Sequence, residues 1–193
     1  MRFAFVTAAL AAFPLAALAA PDRYQLDPDH TAVFFTVDHV GYAKTLGIFG
    51  TVNGSFAYDM DTQKLSDVEV TIDAASVTTF HEARDGHVRN GDFLDVANHP
   101  EITFVATGGT PQSDTAGTVT GDLTILGTTQ PVTLDVTLNK ADTYPFGHKK
   151  FVLGLSIDTS IERSDFGMMY AVENGLVGDT VEISIETEAM RMD

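Results

Sequence analysis

Cysteine is absent from this chain of 193 residues, so no disulfide can staple the fold and no thiolate can hold a metal. Cations are scarce too: 11 Lys and Arg stand against 27 Asp and Glu, a net charge of −16 with histidine neutral. Such a field repels phosphate backbones and anionic lipid surfaces, which argues against nucleic acid as a partner. No serine sits in a nucleophile-elbow context, and no glycine loop opens a helix that could cradle phosphate. Acids abound, but no nucleophile has an adjacent base, so the chain does not read as an enzyme. The six histidines offer little for a metal. His30 and His39 lie nine apart on one strand and His81 and His87 six apart on a helix, neither of which is ligand spacing. No metal and no cofactor are expected.

A single long apolar run opens the chain. Arg2 precedes Phe3 to Leu18, and Ala17-Leu18-Ala19 places small residues where a signal peptidase cuts. Pro14 and the acidic, strand-like sequence beyond disfavour a membrane span. Residues 1–19 are therefore expected to be a cleaved signal peptide, and 20–193 one exported domain with no stable membrane insertion. No cysteine follows the cut, so no lipoprotein anchor is expected.

Beyond residue 20 the dominant pattern has a period of two. Val33, Phe35, Val37 and His39 share one face; Val68, Val70 and Ile72 alternate with acids and threonines. The same alternation marks Phe49 to Tyr58, Ile102 to Ala106, Val119 to Ile125, Val132 to Leu138, Phe151 to Ile157 and Val181 to Ile185. Eight antiparallel strands follow, each with one apolar face. Turn signals separate them at Tyr58 to Thr62, Gly108 to Pro111, Leu126 to Thr129 and Tyr144 to Gly147. Thr79 with Glu82 reads as a capping box that starts a short helix at Phe80 and runs to about Arg89, and a second turn is expected after Ser164-Asp165. Consecutive hairpins favour an all-β, eight-stranded barrel with a short helical insert over a sandwich. A barrel of that size is either filled by side chains or holds one small ligand. Phe35, Phe49, Phe56, Phe104 and Phe151 suit both outcomes.

The polar segment Arg84 to Asp95 interrupts this strand pattern, and with its neighbours it carries a resemblance. Tyr24-x-Leu26-Asp27-x-x-His30-Thr31-x-Val33-x-Phe35-x-Val37-x-His39 leads to Gly47-x-Phe49. Arg84-Asp85-x-His87-Val88, Phe93-Leu94-Asp95 and Pro100-x-Ile102-Thr103-Phe104 follow. Gly121-Asp122-Leu123-Thr124-Ile125-x-Gly127-x-Thr129-x-Pro131-Val132 and Arg163-x-Asp165-Phe166-Gly167 complete the series. In this order and spacing the chain resembles the YceI family, with Thr31 where serine is usual and Val88 where leucine is commoner.

The resemblance implies a periplasmic, lipocalin-like barrel around an elongated apolar pocket. It also implies a long-chain amphiphile as ligand, such as a polyprenyl quinone or phosphate or a fatty acid derivative, and a possible homodimer. Val33, Phe35, Val37, Phe49, Phe93 and Phe104 are candidate pocket walls. His39 reads either as a core histidine satisfied by its neighbours or as a contact to a polar head. Arg84 and His87 share a helix face that either closes one barrel end or meets ligand. Arg163 and Phe166 form a second polar-aromatic cluster near the mouth, with an ion pair from Arg163 to Asp165 or a nearby acid as the alternative role. A packed structural or stress-response barrel, and more remotely a metal-binding protein, are the other readings open at this point.

Overall fold

Alternating apolar side chains can be buried along every strand only if the sheet curls onto itself, and here it does. The computed structural model describes residues 20–192; the expected leader lies outside them. The strands are β1 (Asp22–Leu26), β2 (Ala32–His39), β3 (Ala43–Phe49), β4 (Val52–Asp59), β5 (Lys64–Asp73) and β6 (Val77–Thr78). Helix α1 (Glu82–Val88) follows, then β7 (Glu101–Ala106), β8 (Thr110–Pro111), β9 (Ala116–Ile125), β10 (Thr128–Thr143), β11 (Phe151–Glu162) and β12 (Val177–Met192).

These twelve segments occupy eight positions around a ring. β1 and β2 succeed one another along the same edge of β12, with Leu26 opposite Ala189 and Val33 opposite Ile185. β3 and β4 do the same against that first pair, β5 and β6 against β3 and β4, and β7 and β8 against β9. Each position neighbours the next in the chain, and β1 closes the ring by pairing with both β4 and β12. The fold is thus a closed, eight-stranded, up-and-down antiparallel barrel with one short helix. Closure pairs the long strands on both sides and leaves one-sided only the two-residue segments β6 and β8 among the described residues.

Short breaks bend four of the eight positions. Asp27 caps a 3-10 turn at Pro28–His30 between β1 and β2, and Asp73 caps another at Ala74–Ser76 between β5 and β6. β9 turns into β10 through Leu126 and Gly127, both at positive φ, the primed geometry whose twist suits a two-residue hairpin. At Asp67 (φ 53) β5 carries a bulge opposite Ser55 and Ala57, so both Leu65 and Val68 face inward.

The helix departs from expectation at its start. It begins at Glu82, with His81 as N-cap: its Nδ1 accepts the Arg84 amide at 3.3 Å. Thr79 is not the cap, because Phe80 turns the chain at φ 62 and the Thr79 hydroxyl is engaged by the Asp85 carboxylate. The expected second turn is a 3-10 helix, Arg163–Phe166. Both lie at the same end of the barrel, called here the helix end. The other, the turn end, carries the β4–β5, β7–β9 and β10–β11 connections. No helix among the described residues is long and apolar enough to cross a membrane.

Candidate functional site

The inner wall does not fill the barrel. A cavity of about 630 Å³ runs along it, lined by Val33, Phe35 and Val37 of β2, by Leu134 and Leu138 of β10, by Leu153 and Leu155 of β11 and by Ile183 and Ile185 of β12. Its lining reaches Leu176 at the helix end and Gln63 and Ser113 at the turn end. Room for it comes partly from two glycines. Gly47 pairs with Phe35, and a Cβ there would stand 2.0 Å from the Phe35 ring tip. Gly121 receives the Phe104 ring in the same way, at 2.6 Å. Each ring tip occupies the space of a missing side chain.

Around this cavity the structure gathers all eleven residues singled out in the sequence. Val33, Phe49, Phe104, Arg163 and Phe166 are buried; Phe35, Val37, His87 and Phe93 are half-buried; Arg84 is exposed. His39 is exposed as well, at the end of β2 opposite Val177, so it is no core histidine. The alternation predicted its direction correctly, but β2 carries it beyond the packed part of the wall.

Arg163 differs most from its expected role. It forms no ion pair with Asp165. Its guanidinium, 2% exposed, donates instead to four carbonyls: Gly178 at 2.7 Å, Met168 at 2.7 Å, and Tyr170 and Val177 at 2.9 Å. These fix both ends of the loop 167–176, which crosses the helix end. Burial lowers the Arg163 pKa from its ordinary value, and the nearby Asp179 carboxylate offsets part of that effect. With four of its five N–H donors on carbonyls, Arg163 holds the loop in place.

Asp85 performs the matching task for the helix. Buried, it accepts the Thr79 amide at 2.6 Å and the hydroxyls of Thr79 and Thr78. Those bonds, the Thr79 hydroxyl first, hold its carboxyl below the usual carboxylate range although burial opposes them. Arg84 in turn donates to the Thr79 hydroxyl and carbonyl at 2.8 and 2.7 Å. Three rings close over this frame: His87 meets Phe93 and Tyr170 edge-on at 5.1 and 5.0 Å, and Phe93 lies 5.1 Å from Tyr170. His87 Nε2 also lies 2.9 Å from the Asp92 carboxylate. Tyr170 escaped the sequence reading because it sits in an irregular loop where no periodicity marks it.

A second titratable cluster lies outside the cavity. Asp27 Oδ2 is 2.8 Å from His30 Nδ1, and Glu188 Oε2 is 3.8 Å from the same nitrogen. These ligand-type atoms all fall within 4.8 Å of one another, and Glu188 Oε2 is inaccessible without a hydrogen-bond partner. Counting histidine pairs missed the group, since Glu188 arrives from the far end of the chain. Burial raises the Asp27 pKa, but bonds from His30 and the Asp29 amide outweigh it and leave a net decrease. The bond to Asp27 raises His30. His30 therefore lies between the β1–β2 turn and β12, 2.8 Å from Asp27 Oδ2 and 3.8 Å from Glu188 Oε2, at the seam of the barrel.

Family comparison bears directly on this architecture. A model of the YceI-like domain matches residues 24–189. The chain belongs to the YceI family. Protein YceI of Escherichia coli O157:H7 is 33% identical over 175 residues, covering 91% of this chain and 89% of that one. Among solved structures, Burkholderia cenocepacia BcnA superposes with a TM-score of 0.75 at 23% identity, over 86% of this chain and 99% of its own. A polyisoprenoid binding domain from Saccharophagus degradans gives a TM-score of 0.65 at 15% identity, over 88% and 98%. Both structures share the barrel. For a YceI-like chain, the motifs at Arg84-Asp85 and Arg163-x-Asp165 thus acquire a physical meaning: they brace the helix end around the cavity mouth.

Proposed function

We propose that this protein is a periplasmic carrier that holds an isoprenoid, or a similar long-chain amphiphile, inside its barrel. The observation that carries the reading is the elongated apolar cavity itself, within the range of small-molecule pockets. At roughly 30 Å³ per water-sized group, 630 Å³ takes on the order of twenty such groups, the scale of four isoprene units. Each five-carbon unit gains about 3 to 4 kcal/mol on burial, at about 0.8 kcal/mol per methylene. Ordering the tail costs several kcal/mol. Three or four units then leave the roughly 8 kcal/mol that micromolar binding requires. No charged clamp is needed, and Arg163 is already committed to carbonyls.

Membership of the YceI family and the likeness to a polyisoprenoid binding domain support the ligand class. Export rests on the apolar leader at residues 3–18. The eleven residues that border the cavity are the proposed ligand contacts, with His39, Arg84 and His87 nearest its polar rim. The reading assigns no chemical step to the protein. A barrel with a packed interior, the main rival, is disfavoured by the open lumen. Native mass spectrometry of protein taken from the periplasm is expected to show a bound lipid, and an added polyprenyl quinone is expected to raise Tm. Lipid-free protein that gains no Tm from quinone or fatty acid would sink the reading.

A further inference from the structure

A tail of several isoprene units can reach the barrel through water only by exposing the apolar area that burial later removes. The helix end offers another route. There the β2–β3 turn, residues 40–42, lies beside the loop 167–176. Val40 N–H donates to the Leu176 carbonyl at 3.0 Å, and His39 pairs with Val177. Both segments carry large apolar side chains into solvent: Tyr42 is 90% exposed, Met169 and Leu176 are 47% exposed, and Val40 and Tyr170 are exposed too. Val40, Tyr170 and Leu176 also line the cavity, so the same side chains belong to the inner wall and to the outer lip.

Charge narrows the choice of partner. Residues 39–43 contain no Lys, Arg, Asp or Glu, and residues 169–177 contain only Glu173; the neighbouring Asp38 carboxylate is engaged by the Gly41 amide at 2.8 Å. In a chain of net charge −16, this lip is nearly uncharged while the rest of the molecule repels anionic surfaces. A patch of aromatic and aliphatic side chains with little charge suits the interface of an uncharged or zwitterionic bilayer. The turn end differs: Gln63, Ser113, Asp114 and Thr115 line its part of the cavity.

We propose that the lip formed by Val40, Tyr42, Met169, Tyr170 and Leu176 docks on a neutral lipid bilayer, so that cargo moves between membrane and barrel without crossing water. The inference rests on the carrier reading and adds where, and against what surface, loading takes place. The lip reaches only into the interfacial layer; the barrel stays outside the membrane.

Flotation with phosphatidylcholine vesicles tests it. The wild-type protein is expected to float with them, and to float less as phosphatidylglycerol replaces phosphatidylcholine. Tyr42→Glu combined with Met169→Glu, two side chains outside the cavity lining, is expected to lower the bound fraction at least tenfold with Tm unchanged. Phe146→Glu, also exposed to solvent but at the turn end, is expected to leave it unchanged. Because the chain contains no tryptophan, Tyr42→Trp supplies a single indole whose emission is expected to shift to the blue on phosphatidylcholine. A two-isoprene quinone delivered from cyclodextrin, with no vesicle present, separates docking from carrying. If the wild type takes up that quinone yet ignores phosphatidylcholine, the docking proposal falls and the carrier reading stands. If it floats on phosphatidylcholine but binds no quinone, the carrier reading falls. Sedimentation that shows a dimer dissociated by the paired Glu substitutions, with no vesicle binding, would make the lip a contact between two copies and overturn the proposal.

Discussion

The two ends of the barrel are built on different principles. At the helix end, buried charges do the holding: Arg163 spans four carbonyls and Asp85 gathers an amide and two hydroxyls. At the turn end the strands are joined by exposed connections with local bonds, such as those from the Asp61 and Thr62 amides to Asp59 Oδ1, both at 2.9 Å. Buried charged groups tolerate few alternatives, because losing one partner strands the others away from water. Exposed turns tolerate many, since water replaces whatever is lost. One end of the cavity is therefore fixed in shape, while the other has only to close the strands.

That contrast can be broken in four places. The largest effect is expected from Arg163→Ala, which strands four carbonyls and leaves a void. It should cost about 3 kcal/mol or more in chemical denaturation, with little rescue by Arg163→Lys, whose ammonium cannot span four acceptors. A loss under 1 kcal/mol would mean that the loop holds itself. Next comes Gly47→Ala, where the new methyl drives the Phe35 ring into the lumen. A cost of about 1 to 3 kcal/mol is expected, as for an overpacked core, and quinone titration should show affinity down at least tenfold. Unchanged affinity would separate cavity shape from binding.

Acid provides the third test. The folded pKa of Asp85 is lowered, so its contribution to stability is present above the unfolded carboxylate value and is lost as pH falls through the folded value. Asp85→Asn should therefore destabilise by about 2 kcal/mol at neutral pH and flatten the acid limb of the stability profile below about pH 4. An acid limb as steep as that of the wild type would assign it to other carboxylates, Asp27 first. The smallest effect belongs to Gln63→Ala at the turn end. Its amide makes an exposed bond of 3.2 Å to the Ser113 carbonyl, and its loss should change stability by less than about 0.5 kcal/mol. A larger loss would show the two ends to be more alike than their burial indicates.

Strand count and inward-facing residues were legible because period-two alternation is a direct imprint of a half-buried sheet. Val132, Leu134, Val136 and Leu138, and Leu153, Leu155 and Ile157, line the cavity as their spacing predicts, while Phe151 does not border it. The breaks at residues 27–31 and 50–51 were not, since alternation resumes on the same face beyond each one. β1 went unnoticed as a strand because only its Tyr24 and Leu26 face inward, too short a run to register a period. The role of Arg163 was hidden for a different reason. Its partners are backbone carbonyls, and a carbonyl acceptor has no letter of its own. Thr79 misled in the same manner: the spacing to Glu82 was right for a cap, but the φ of 62 at Phe80 is a property of the folded chain.

The seam between β1 and β12 has a consequence for how the protein comes into being. Tyr24 lies opposite Arg191 and Leu26 opposite Ala189, so this contact joins the first and last strands of the barrel. β12 also pairs with β2, from Val177 opposite His39 to Glu186 opposite Ala32, so the intervening hairpins can assemble from neighbours while the chamber waits for β12 to meet both β1 and β2. Capacity for cargo would then arrive in one step, with the final strand, and a chain lacking all of β12 would be an open, sticky sheet instead of a weaker container.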